Sequence, residues 1–185
     1  MGNGEGPGPA NPSSSTPAPS SNPRPAVLIV DDTPSNLVAF TAALAGEGYD
    51  LASAGSGQEA LKCVLDREFA VILLDVRMPG MDGIETATFL RAGRGRFTPI
   101  LFVSAFDNTP MEVERGFLAG AIDYLFKPVS ANLLKRKVAA LVDFSLRNLE
   151  FKRRNESLVQ ANQALLKKVA ALEGEVAALK VAAAR

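Results

Sequence analysis

Five short apolar runs, each followed by a helical pattern, constrain this chain more than any other feature. They fall at residues 26–30, 50–54 (the weakest), 70–74, 99–103 and 121–126. Continuous apolar runs of strand length, separated by helices, signal a parallel sheet covered on both faces. Thr33 as cap and Pro34 as first helical residue open the first helix, with Leu37, Phe40, Ala43 and Leu44 facing inward and Gly46 and Gly48 as stops. Ser56 opens the second, whose inner face is Ala60, Leu61, Val64 and Leu65. A third starts near Gly83, and a fourth spans 110–119 and closes at Gly120. The fifth begins after Ser130 and packs through Leu133, Leu134, Val138 and Val142. The expected fold is a doubly wound, five-stranded parallel α/β domain over residues 26–143, with right-handed crossovers.

Outside that domain, residues 1–25 are dominated by Gly, Pro, Ser and Asn and read as a disordered tail. The absence of His excludes a Ser-His-Asp triad, a Cys-His dyad, a His-ligated zinc or haem, and a phosphoryl-carrying histidine. The single Cys63 forms neither an intramolecular disulfide nor a Cys-based zinc site and fits a reducing compartment, so a cytoplasmic location is expected. Twenty basic and 20 acidic side chains balance, which argues against direct nucleic-acid binding. No apolar run approaches the roughly 18 residues a membrane span needs, and no basic start precedes an apolar stretch as in a secretory leader. A membrane partner is not expected.

The polar residues at the strand ends form a pattern. Asp31 and Asp32 follow the first run, Asp75 the third, Ser104 the fourth and Lys127 the fifth. Ligands of open parallel sheets sit just outside the carboxyl ends of the strands, so these side chains converge. Three carboxylates at one spot call for a hard, oxygen-ligated cation, and Mg²⁺ suits a site that keeps waters and meets a phosphoryl group. A lysine and a hydroxyl opposite bind anionic oxygens, and one carboxylate is left as a nucleophile toward phosphorus. Taken singly, an acidic pair is more often a helix cap, a lysine before proline a surface residue, and a serine a backbone partner. Their joint placement at four strand ends outweighs those readings.

The segments 27–32 (VLIVDD), 71–83 (VILLDVRMPGMDG), 100–105 (ILFVSA) and 124–128 (YLFKP) resemble the receiver domain of bacterial two-component response regulators, over some 120 residues in the family's order and spacing. The resemblance implies a flavodoxin-like fold of strand order 2-1-3-4-5. It implies that Asp75 is phosphorylated by a partner histidine kinase or phosphotransfer protein. It further implies that Asp31, Asp32, Asp75 and the backbone carbonyl of Arg77 bind Mg²⁺, that Ser104 and Tyr124 are a switch pair, and that Lys127 contacts the phosphate. The family's cis bond before proline would fall at Lys127–Pro128. On this reading the chain is a signalling switch that takes part in its own phosphotransfer and dephosphorylation, with no separate output enzyme. Phosphorylation would let Ser104 move toward the phosphoryl group and Tyr124 turn inward.

Two rivals remain. Phosphatases and transferases with an aspartyl nucleophile also use Asp, Ser or Thr, Lys and Mg²⁺, but carry the nucleophile in an Asp-x-Asp-x-Thr pattern after the first strand. Here that place holds Asp31-Asp32-Thr33-Pro34. A phosphorylation-independent scaffold would not need all five polar positions.

From Ser130 to Arg185 the chain has no Pro and one Gly, Gly174. Phe144, Phe151, Leu158, Leu165, Leu172 and Leu179 recur every seven residues. Three positions before each stand Leu141, Asn148, Asn155, Asn162, Val169 and Val176. Leu at d with Val at a favours a parallel two-stranded coiled coil, and Asn at a fixes register and dimeric state at a cost in stability. Lys168 to Glu173 and Glu175 to Lys180 are attractive g–e pairs of a parallel dimer. Residues 144–185 are therefore expected to be a dimeric coiled coil continuous with helix five, making the protein a homodimer. Its downstream partner is open, and so is whether the dimeric stalk completes the protein or leads into a longer regulator.

Overall fold

The structure, a computed structural model, describes residues 24–105 and 110–183. The tail expected at 1–25 falls, but for its last two residues, outside them. Ten elements alternate: β1 (Ala26–Val30), α1 (Pro34–Leu44), β2 (Asp50–Ala54), α2 (Gly57–Asp66), β3 (Val71–Asp75), α3 (Gly83–Ala92), β4 (Ile100–Ala105), α4 (Pro110–Leu118), β5 (Asp123–Lys127) and α5 (Ala131–Ala183). The strands form one parallel sheet of order β2-β1-β3-β4-β5.

The twofold alternation of strand side chains sorts the core into two layers. Leu28, Val30, Ile72, Leu74, Ile100, Phe102 and Tyr124 point to one face, where Ala60 and Val64 of α2 and Ala87 and Leu90 of α3 cover them. Val27, Ile29, Val71, Leu73, Leu101, Val103 and Leu125 point to the other, against Phe40 and Leu44 of α1 and Leu134, Val138 and Val142 of α5. Burial on both faces explains why β1, β3 and β4 read as unbroken apolar runs, while the edge strand β2, only partly covered, carries Asp50 and Ser53.

Several sequence expectations shift. Leu65 and Leu133 are exposed rather than packed inward. Each lies about 100° around its helix from a buried neighbour, Val64 or Leu134, and the buried stripes are too narrow to include it. Ser56 caps α2 by accepting the Glu59 N–H. Thr33 occupies the N-cap place of α1 but makes no side-chain cap bond. Strands three to five run further than the apolar runs suggested. Asp75 pairs with Val103, Ser104 with Phe126 and Ala105 with Lys127, so Asp75 and Lys127 end their strands and Ser104 lies one residue inside β4 instead of following it.

The turn after β3 depends on a close approach. Gly83 donates its N–H to the Val76 carbonyl at 2.9 Å. A Cβ there would overlap the Asp75 carbonyl oxygen and stand 2.9 Å from its carbonyl carbon. Backbone atoms cannot swing aside, so Gly83→Ala is expected to destabilise the fold by about 3 kcal/mol, the upper end of ordinary overpacking. Urea denaturation followed by circular dichroism checks this; an unchanged midpoint would contradict it.

The loops at the far end of the sheet are tied by Arg91, whose guanidinium donates to the carbonyls of Gly95 (2.9 Å), Thr98 (2.8 Å) and Gly120 (2.7 Å). The last helix is one element of 53 residues, about 80 Å long. Val142 is its last buried residue among those described. Beyond it, Phe144, Phe151, Leu158, Leu165, Leu172 and Leu179 are exposed along the heptad stripe. No helix among the described residues is long and apolar enough to cross a membrane.

Candidate functional site

The sheet topology brings the polar strand ends together. Asp31 follows β1 and its N–H donates to the Ala54 carbonyl at 3.2 Å, which fixes the chain as it leaves the sheet. Its carboxylate is buried and accepts from the Thr33 N–H at 2.9 Å and from Asn36 Nδ2 at 3.0 Å. The exposed Asp32 receives the Thr33 hydroxyl at 3.4 Å. Asp75, buried at the end of β3, accepts the Arg77 N–H at 3.2 Å. Lys127 ends β5 next to the cis Lys127–Pro128 bond. Its Nζ donates to Asp75 Oδ2 at 2.7 Å and to Asp31 Oδ2 at 2.9 Å.

One ligand oxygen each from Asp31, Asp32 and Asp75 lies within 4.8 Å of the others. Burial pushes the Asp75 carboxyl above the ordinary carboxylate range, and the Lys127 ammonium and Arg77 N–H offset this only in part. Burial alone would lower Lys127, but the hydrogen bonds and charges of Asp75 and Asp31 outweigh it and hold its pKa above the usual value. Three carboxylates face this one ammonium, so the cluster retains an acidic excess and presents hard oxygen donors. That donor set fits a divalent hard cation.

Ser104 is fully buried near the end of β4. Tyr124, on the neighbouring strand, points inward: the residue is 7% exposed and its hydroxyl donates to the Val113 carbonyl at 3.2 Å. The inward position expected of the phosphorylated form is thus already adopted here. The Arg77 guanidinium lies 3.8 Å from Glu112 of α4, an ion pair that links the loop after β3 to α4. Asn36, which holds both oxygens of Asp31, was missed in the sequence. Its signal was an amide in the first turn of a helix that starts directly after the acidic pair.

A buried carboxylate gathered with two others and a lysine at the carboxyl end of a parallel sheet is the arrangement that the motifs implied. The description of the response regulator receiver domain matches residues 27–139. The chain belongs to the response regulator receiver family. Among its relatives, the DNA-binding response regulator MtrA of Mycolicibacterium smegmatis is 39% identical over 117 residues, 63% of this chain and 50% of that protein. The transcriptional regulatory protein ZraR of Salmonella typhimurium is 41% identical over 109 residues, 59% of this chain and 24% of that protein. The receiver domain of the Francisella response regulator 1452 superposes with a TM-score of 0.60 at 33% identity, covering 65% of this chain and 98% of that one. The chain spans about half the length of the MtrA relatives it matches. MtrA's description as DNA-binding stands against the expectation of no nucleic-acid partner, although it describes the whole of that protein.

Proposed function

We propose that this receiver accepts a phosphoryl group on Asp75 from the phosphohistidine of a partner kinase or phosphotransfer protein and signals through a dimeric stalk. The observation that carries the reading is the buried Asp75 carboxylate, clustered with Asp31 and Asp32 and bonded to Lys127 at 2.7 Å. An Asp75 oxygen attacks phosphorus in line, the P–N bond to the donor imidazole breaks, and the product is an acyl phosphate that water can hydrolyse. Lys127 turns from the carboxylates to the transferred oxygens. Asp31, Asp32, Asp75 and the Arg77 carbonyl would hold Mg²⁺, which supplies neutralisation of the charge on the equatorial oxygens. Asn36 and the Thr33 N–H keep Asp31 oriented for that task. Ser104 donates to a phosphoryl oxygen, and Tyr124 in its inward position communicates the change to α4, β5 and α5. The protein is a switch of the cytoplasm on this reading, and its output partner joins through the stalk.

Incubation with acetyl phosphate and Mg²⁺ tests the chemistry. Stoichiometric labelling, one phosphoryl group per chain mapped to Asp75, is the expected result; turnover without an adduct would favour a phosphatase. Asp32→Ala removes one carboxylate of the cluster and is expected to weaken Mg²⁺ binding at least tenfold, read by titration against a nearby spectroscopic probe. Unchanged affinity would contradict the assignment. The names of the relatives favour a second reading for the whole protein, in which the output is DNA binding; a mobility-shift assay with this chain alone would show a complex only if that contact lies within these residues.

A further inference from the structure

Gly116 is the buried residue of α4, and it sits in the helix interior, where glycine is among the least favourable choices. The neighbouring ring explains its presence. Tyr124 from β5 lies against this turn of the helix, 5.3 Å centroid to centroid from Phe102 and 5.1 Å from Phe117. A Cβ on residue 116 would overlap the Tyr124 hydroxyl, stand 2.7 Å from Cζ and 3.0 Å from Phe102 Cε2. The ring therefore occupies the volume that any other side chain at 116 would fill, and its hydroxyl reaches the Val113 carbonyl one turn earlier.

We propose that Gly116 is a positioning residue of the switch: it opens the slot that admits Tyr124 between α4 and β4, and a single added methyl group closes that slot. The inference rests on the reading of Tyr124 as the switch residue. The clash falls on the far end of a side chain that can rotate, whereas the α4 backbone is held by its helix, so Tyr124 is the part that moves.

The chain has two tyrosines and no tryptophan, so in a Tyr49→Phe background tyrosine emission reports on Tyr124 alone. Gly116→Ala is expected to raise the acrylamide quenching constant of that emission at least twofold, with and without acetyl phosphate, while Asp75 is still labelled. Burial raises the Tyr124 pKa, so the phenol should also ionise at lower pH once expelled. An unchanged quenching constant overturns the slot. Should Gly116→Ala fold poorly, the background Tyr124→Ala decides. There the same substitution should raise the melting temperature, because alanine favours the helix and nothing fills the slot. Equal destabilisation with and without Tyr124 overturns the proposal. Failure of labelling in the parent together with increased quenching in Gly116→Ala would overturn Asp75 as acceptor and leave the slot standing.

Discussion

Asp75→Asn is expected to abolish labelling by acetyl phosphate and to leave the fold intact. The amide is near-isosteric with the carboxylate but is not a nucleophile, and phosphotransfer to this chain has no other route on the present reading. The effect is total and not graded: the alternative acceptors in the cluster, Asp31 and Asp32, are held differently. Asp31 is engaged by Asn36, the Thr33 N–H and Lys127, and Asp32 is exposed in the turn that precedes α1. The fold should survive because Asp75 gains little from ionisation. Burial pushes its carboxyl up, so the charged form is disfavoured by the folded protein, and a neutral amide relieves that cost. Circular dichroism and melting of the variant check the second half. Persistent adduct formation on the variant would place the nucleophile elsewhere.

The second large effect concerns assembly. The wild-type chain is expected to be a dimer at micromolar concentration, and Leu165→Pro combined with Leu172→Pro to be a monomer that still accepts phosphate. Proline in a helix interior costs about 3 kcal/mol or more, and each of these sits at a d position of the stripe. The exposed row from Phe144 to Leu179 is too regular and too long to be covered by the receiver, whose core takes no α5 residue beyond Val142 among those described. Positions 165 and 172 lie about six turns or more beyond that residue, so the break does not reach the core. Light scattering reads the mass and acetyl phosphate labelling reads the receiver. A wild-type monomer would refute the dimeric stalk, and a dimeric double variant would place the interface on the receiver itself.

Much of this was legible in the residues. Continuous apolar runs specify strands buried on both faces, since only a sheet covered twice removes the need for a polar face. Carboxylates, a serine and a lysine at the run ends specify a site, because an open parallel sheet collects its strand ends along one edge. Where the reading slipped, local sequence could not decide. Leu65 and Leu133 are as apolar as the neighbours that are buried, and only the width of the stripe each helix turns to the sheet leaves them outside. Asn36 reads as an ordinary helix residue until Asp31 is seen beside it.

The sequence by itself determined the order of elements, the gathering of Asp31, Asp32, Asp75, Ser104 and Lys127 at one edge, and the long amphipathic helix, because each follows from periodicity or from the connectivity of a parallel sheet. The tertiary structure decided what depends on contacts between elements distant in the chain. It set Lys127 between Asp31 and Asp75, it placed Gly83 against the Asp75 carbonyl, and it turned Tyr124 into the space beside Gly116. Periodicity reports which face of an element is buried, but steric fit at a single atom is settled only when the opposing element is in place.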